Sequence, residues 1–231
     1  MKNLIILLFL LLLIGSALCY VYVPRNKHFP YLDNTLPNIV IGKTYYINMD
    51  KSTERKHRFL AGYNGKSEIE RVPGVVVEKQ IGKLGKGTRG CALAHAKAMN
   101  EVAKYPSGWY MICEDDCVGD FSSLESNIIL RNIVHRTSKQ FINLGRYKFS
   151  PYSLSDINLC LQAYMLTPEC AAKTRDIIVK NVDSPHALPV DELIVSLYRT
   201  PRYFGQSGDS SGCHVTLFDA FGPSDISSNG R

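Results

Sequence analysis

The stretch from Trp109 to Asp116 constrains the fold of this chain most strongly. An apolar run, Trp-Tyr-Met-Ile-Cys, stops abruptly in three consecutive carboxylates, Glu114, Asp115 and Asp116. Such a run predicts a buried strand that ends at an acidic point. In open α/β sheets, ligands bind at the carboxyl ends of the strands, so the carboxylates suggest a cation and the anion that it carries. The alternative is an acidic turn that is simply solvated.

Strand and helix patterns alternate along the rest of the chain. We therefore expect an α/β domain with a mixed, largely parallel sheet. A loop rich in Gly and Lys, residues 82–90, lacks the Gly-Lys-Ser/Thr ending of a P-loop. We expect either a flexible basic loop near phosphates or a plain mobile loop on the surface. Predicted strands cover 39–48, 68–77, 109–116, 140–144, 159–166 and a short last segment, 203–206. Predicted helices follow Ser52, which is a suitable N-cap, and cover 91–105, 121–134, 168–182 and a segment from 189.

The N-terminal segment is predicted to be a membrane anchor or a signal peptide. Residues 1–23 are almost entirely apolar, about twenty residues of which would cross a bilayer as a helix. Small residues near position 19 also fit a cleavage site, so a secreted product is the alternative. Residues 24–37 then form a stem, 38–207 the domain and 208–231 a Gly/Ser-rich tail. The domain is expected on the lumenal or extracytoplasmic side of a membrane, in the Golgi or endoplasmic reticulum if the source is eukaryotic.

Composition excludes some classes of partner. The formal net charge is +6, but the basic residues are scattered and no Lys/Arg block with interleaved aromatics occurs, so we do not expect nucleic-acid binding.

Six cysteines follow Cys19, and their irregular spacing fits neither a small disulfide scaffold nor a paired zinc motif. We expect most of them to be buried, with one or two disulfides.

His95 and the pair Asp191 and Glu192 are further candidates for a functional site, and each also has an ordinary structural explanation. His95 lies on the apolar face of the predicted helix 91–105, where a hydrogen-bonded core histidine is common. Asp191 and Glu192 begin a helix after Pro189, where acidic side chains favour the positive end of the helix dipole.

Several of these segments together resemble one family, the family 25 glycosyltransferases, which includes lipooligosaccharide sugar transferases and collagen galactosyltransferases. The resemblance covers about residues 41–207. Its most specific part is the Gly-Cys-Ala-Leu-x-His block that precedes Glu-Asp-Asp. The matching segments, in order, are Ile47-Asn48-Met49-Asp50 with Arg55, Gly90 to His95, Glu114-Asp115-Asp116, Ala163-Tyr164 and Pro189-Val190-Asp191.

The resemblance implies a GT-A-like fold that binds a nucleotide sugar, UDP-galactose or UDP-glucose in particular. It implies a metal-dependent transfer, with inversion, of the hexose to a hydroxyl of a glycan, glycoprotein or glycolipid acceptor. Asp116 and Glu114 would then hold Mn²⁺ or Mg²⁺, and Asp191 would be the general base. Donor-binding residues on this view are Asn48, Asp50, Arg55, His95 and Glu114, whereas Asp115 should point away because alternate residues of a strand share a face.

The chain also departs from the family pattern. Where the family has Gly-Glu-Ile-Gly-Cys-Ala-Leu-Ser-His, residues 87–95 have Thr88 in place of the acid and Ala94 in place of the serine. Two alternatives therefore stay open: a catalytically decayed relative that binds a glycan or nucleotide sugar without turnover, and a metal-dependent hydrolase that uses the same carboxylates.

Overall fold

The computed structural model describes residues 32–80, 82–136, 140–144, 161–199 and 215–217. The predicted anchor, most of the stem and the predicted strand at 203–206 lie outside the described residues. Within the described part of the chain, no helix is both long and apolar enough to cross a membrane. The chain divides into two compact units, Met1–Asn34 and Thr35–Arg231, and the sheet belongs to the second.

Strands and helices alternate from Ile41 to Asn143, as the sequence predicts. The elements in chain order are β1 (Ile41–Asn48), α1 (Thr53–Gly62), β2 (Glu68–Pro73), α2 (Lys86–Val102), β3 (Trp109–Glu114), α3 (Ile128–Arg136), β4 (Phe141–Asn143), β5 (Ala163–Leu166), α4 (Pro168–Val182), α5 (Val190–Arg199) and β6 (Val215–Leu217).

The six strands form one sheet in the order β2-β1-β3-β5-β4-β6. β1 is parallel to both β2 and β3, and β4 is parallel to β6. β5 is antiparallel to its neighbours β3 and β4 and is, among the described strands, the one that runs in the opposite direction. The expectation of a mixed, largely parallel sheet is therefore confirmed.

The strand order places a topological switch point between β1 and β3. The chain leaves β1 for β2 on one side and returns, through α2, to β3 on the other side. In open α/β sheets the crevice at the carboxyl ends of the two strands that flank such a point is the usual ligand site. Ile47 pairs with Glu114 across these two strands, so the carboxylate run lies at that edge.

Helices cover both faces of the sheet. On one face, Tyr45 and Ile112 belong to a buried cluster with residues of α2, α4 and α5. On the other face, the Tyr46 ring stacks on Phe59 of α1 with 5.0 Å between ring centroids. Because adjacent residues of a strand point to opposite faces, each strand end presents side chains to both layers.

Four sequence expectations need correction or refinement. The expected mobile loop is partly wrong, since α2 begins at Lys86 and includes residues 86–90. The helix expected over 121–134 begins only at Ile128. Ser52 occupies the N-cap of α1 but its side chain makes no capping hydrogen bond. Lastly, β6 lies within the segment that the sequence assigns to the tail.

Candidate functional site

The backbone of the carboxylate run is held between two strands. The Glu114 N–H donates to the Gln162 carbonyl at 2.8 Å, and the Asp115 N–H donates to the Ile47 carbonyl at 3.1 Å. These hydrogen bonds extend the pairing of β3 beyond its last residue on both sides. The three carboxylates therefore start from a fixed main chain rather than from a loose turn.

Asp115 is the buried member of the run. The residue is 3% exposed, and its Oδ2 accepts a hydrogen bond of 2.6 Å from Asn48 Nδ2. Its Oδ1 accepts from Arg55 Nη2 in an ion pair, although the Arg55 side chain stays about half exposed. The two partners come from the end of β1 and the first turn of α1, and a buried carboxylate requires such partners.

Asn48 and Asp50 are joined by Arg71 of β2. Arg71 Nε donates to Asn48 Oδ1 at 3.0 Å, and Arg71 Nη2 donates to Asp50 Oδ1. Asp50 itself is exposed, and the hydrogen bond from Arg71 lowers the pKa of its carboxyl group. Asn48 is thus part of the buried network around Asp115, whereas Asp50 lies at its rim.

Glu114 faces the other layer, where it meets α2. Its Oε1 lies 3.0 Å from His95 Nε2 and 4.0 Å from the Cys91 thiol sulfur. His95 Nδ1 lies 2.9 Å from the Tyr164 hydroxyl of β5. The His95 imidazole is buried and both its ring nitrogens have partners, so its orientation is fixed.

The surroundings of His95 alter its acidity and that of Tyr164. Burial works to lower the pKa of His95, but Tyr164 and the hydrogen bonds with Cys91 and Glu114 outweigh it and raise that pKa well above its ordinary value. Burial raises the pKa of Tyr164 to about 12, so its hydroxyl stays protonated. The hydroxyl can therefore donate to or accept from His95 at any physiological pH.

Asp116 is the least satisfied carboxylate of the three. Its Oδ1 is buried and has no hydrogen-bond partner among the described residues. Burial, together with the nearby charge of Glu114, raises the pKa of its carboxyl group to about 6. A buried carboxylate oxygen without a donor is costly unless a cation or another ligand binds it.

Asp191 lies in the first turn of α5, within electrostatic reach of the site. Burial raises the pKa of its half-buried carboxyl group, backbone hydrogen bonds at the helix start oppose this, and Glu114 raises it further. His95 is also close enough to act on it in the opposite direction. The backbone contacts agree with the helix-end explanation, and Glu114 and His95 add smaller electrostatic effects on the pKa of Asp191. Glu192 is exposed.

The structure thus sorts the predicted residues into two groups on opposite sides of the carboxylate run. Asn48 and Arg55 bind Asp115, whereas His95 binds Glu114. Asp115 does point away from Glu114, as strand alternation predicts. The sequence did not predict that Asp115 is buried. Cys91 was missed as well, although its spacing of four residues from His95 on a helix was a visible signal.

One cluster of metal-ligating side chains stands out within the described part of the chain. The Cys91 sulfur, a His95 ring nitrogen and a Glu114 oxygen all lie within 4.8 Å of one another. Asp116, expected from the sequence to bind a metal with Glu114, is not part of this cluster.

Comparisons with known proteins find similarity in structure but not in sequence. No family model matches the sequence, and no protein of curated function matches it. The chain is similar to a solved structure described as a glycosyltransferase involved in the glycosylation of the major capsid of PBCV-1. The TM-score is 0.47 and the sequence identity 10%, with 78% of this chain and 82% of the other chain covered.

Proposed function

We propose that this protein is a metal-dependent, inverting glycosyltransferase that moves a hexose from a UDP-sugar to a hydroxyl of a glycan, glycoprotein or glycolipid. One observation carries the proposal: a carboxylate run lies at the switch point of a largely parallel sheet, and its Asp116 has a buried oxygen without a donor among the described residues. That arrangement supports a bound cation and a phosphorylated ligand, and the family resemblance supports their being Mn²⁺ or Mg²⁺ and a nucleotide sugar. A GT-A-like fold is part of the proposal.

On the donor side, Asp116 and Glu114 would hold the cation. A hard divalent cation there neutralises the negative charge that develops on the leaving diphosphate. Arg55 is half exposed while one of its nitrogens is fixed on Asp115. The exposed part of the Arg55 side chain can therefore approach a phosphate, and Asp115 serves to position it. Asn48 and Asp50 would flank the nucleoside.

On the acceptor side, we assign Asp191 as the general base. The acceptor hydroxyl oxygen attacks the anomeric carbon, the bond from that carbon to the diphosphate oxygen breaks, and the hydroxyl proton passes to Asp191. A raised carboxyl pKa suits this task, because the group must accept a proton during attack.

We also propose that residues 1–23 anchor the protein and that the domain acts on the lumenal or extracytoplasmic side. Acceptors of glycan, glycoprotein or glycolipid type occur in that space. If the segment is cleaved, the same domain is secreted.

The experiment that tests the function is a donor screen with the full-length protein. UDP release from UDP-galactose and UDP-glucose is measured with and without Mn²⁺, together with sugar transfer to a panel of glycan acceptors. Asp116→Ala is compared with Asp176→Ala, an exposed aspartate on α4 that pairs with Arg175. The proposal expects Mn²⁺-stimulated transfer that Asp116→Ala removes and Asp176→Ala retains; full activity of Asp116→Ala would contradict the assigned role.

A second candidate is a relative that binds the nucleotide sugar without turnover. It is favoured by the segment around Thr88, where the family's acid is missing and the adjacent Arg89 forms an ion pair of 2.7 Å with Asp183. Calorimetry with UDP and Mn²⁺ separates the two when it is combined with the screen, because binding without any transfer supports this candidate. Free hexose released in the presence of acceptor would instead indicate the hydrolase.

A further inference from the structure

We propose that Cys91, His95 and Glu114 form a binding site for a thiophilic divalent cation of the Zn²⁺ type. The site shares Glu114 with the carboxylate pair of Asp116 and Glu114, but its other two ligands are a thiol and an imidazole. It does not depend on the transfer reaction, because binding of the cation can be measured directly.

The geometry suits a single ion. Cys91 and His95 are four residues apart on α2, so their side chains lie on the same face one turn apart. Glu114 Oε1 lies 3.0 Å from His95 Nε2 and 4.0 Å from Cys91 Sγ. Around a tetrahedral zinc ion with bonds of about 2.0–2.3 Å, ligand atoms are roughly 3.3–3.8 Å apart. The three side chains therefore need only small adjustments to share one ion.

The surroundings also resemble those of metal ligands. A ligating histidine is usually oriented by a hydrogen bond on its other ring nitrogen. Here His95 Nδ1 lies 2.9 Å from the Tyr164 hydroxyl, and Nε2 faces the other two side chains. The imidazole is 1% exposed, so packing fixes it before any ion arrives.

Access and ligand type favour zinc over a hard cation. Cys91 is exposed and Glu114 is partly exposed, which leaves a path from solvent to the buried imidazole. A thiolate and an imidazole prefer Zn²⁺ to Mg²⁺ or Mn²⁺, which prefer oxygen ligands. Binding displaces the proton of the Cys91 thiol and any proton held between His95 and Glu114, and the fourth position stays open for water. This pattern of three protein ligands and an open position is that of a zinc site that can take a further ligand.

The test uses Co²⁺ as a spectroscopic substitute for Zn²⁺ in the full-length, reduced protein. A cysteinate ligand gives a near-ultraviolet charge-transfer band, and titration with Zn²⁺ should remove it. Cys91→Ser should abolish the band, whereas Asp116→Asn, which changes the neighbouring carboxylate but not this ligand set, should retain it. Tyr164→Phe should weaken Co²⁺ binding about 10-fold through loss of the hydrogen bond to His95.

Circular dichroism of Cys91→Ser separates loss of a ligand from loss of fold, and the exposed position of Cys91 favours retention of the fold. The proposal is overturned if the wild-type protein gives no cysteinate band, since the three residues would then be only an ion pair beside a thiol. It is equally overturned if Cys91→Ser keeps the band, because another cysteine would then be the ligand. Loss of the band in Asp116→Asn would show that Asp116 is required for binding of the same ion and would overturn the proposed set of three ligands.

Discussion

Asn48 Nδ2 donates a hydrogen bond of 2.6 Å to Asp115 Oδ2 and so joins the carboxyl ends of β1 and β3. The same carboxylate receives the Arg55 guanidinium on its other oxygen. One buried acid therefore connects β1, α1 and β3 at the edge where the sheet is expected to bind its ligand. Asn48 in turn accepts from Arg71, which extends the network to β2.

We expect Asp115→Ala to lower the free energy of unfolding by about 2–4 kcal/mol, because it removes the buried carboxylate that accepts hydrogen bonds from Asn48 and Arg55. Urea unfolding measures the change. The matched control is Asp50→Ala, which removes an aspartate–arginine pair at the exposed rim and should leave the unfolding midpoint almost unchanged. Equal effects of the two substitutions would contradict the structural role assigned to Asp115.

The raised pKa of Asp116 predicts that the stability of the metal-free protein depends on pH. The pKa is about 6 in the folded state against an ordinary value of 3.8, so the folded state binds the proton more tightly than the unfolded state does. Stability should therefore fall as the pH rises from about 4 to about 6. Asp116→Asn should stabilise the metal-free protein by about 1–2 kcal/mol above pH 6 and much less at pH 4.

Thermal unfolding in the presence of a chelator, at pH 4 and pH 7, measures this difference. A stabilisation of the same size at both pH values would show that the substitution acts through packing and not through the charge of Asp116. Destabilisation at pH 7 would show that the carboxylate has a favourable partner.

Gly90 is required where α2 passes the segment after β2. A Cβ atom at this position would lie 2.4 Å from the Val75 carbonyl oxygen, which belongs to the backbone and cannot move aside cheaply. Gly90→Ala should therefore destabilise the protein by about 1–3 kcal/mol. Gly87→Ala is the control in the same helix, since its Cβ would meet nothing within 4 Å, and it should stabilise by about 0.5 kcal/mol. A neutral Gly90→Ala would mean that this close approach does not occur.

Asp191→Asn tests the base assignment separately from the metal. If Asp191 takes the acceptor proton, kcat for transfer should fall about 10²- to 10⁴-fold while UDP binding, measured by calorimetry, stays the same. Glu192→Gln removes the adjacent exposed acid of the same helix turn and should leave kcat close to wild type. If Glu192→Gln lowers kcat more than Asp191→Asn does, the base is Glu192. If neither substitution lowers kcat, the helix-end explanation of the two acids is favoured.

Much of the fold could be predicted from local sequence patterns. The apolar run before Glu114 is a buried strand, and the helix from Pro168 to Val182 has the predicted bounds, with Pro at its start and Thr167 as N-cap. The segment from Lys86 to Gly90 was missed because its Gly and Lys content favours a loop, whereas in the structure it forms the first turns of α2. Pairing of β6 with β4 involves residues distant in sequence, which no local pattern encodes.

The candidate site, like the fold, could be predicted from the sequence only in part. The sequence by itself determined that three carboxylates end a buried strand and that adjacent ones face opposite sides, because side-chain direction alternates along a strand. Only the tertiary structure decided what each carboxylate meets: Asn48 and Arg55 for Asp115, His95 and Cys91 for Glu114, and no described donor for Asp116 Oδ1. Those contacts arise from the order of the strands and the packing of α1 and α2 on opposite faces, which bring together residues far apart in the chain.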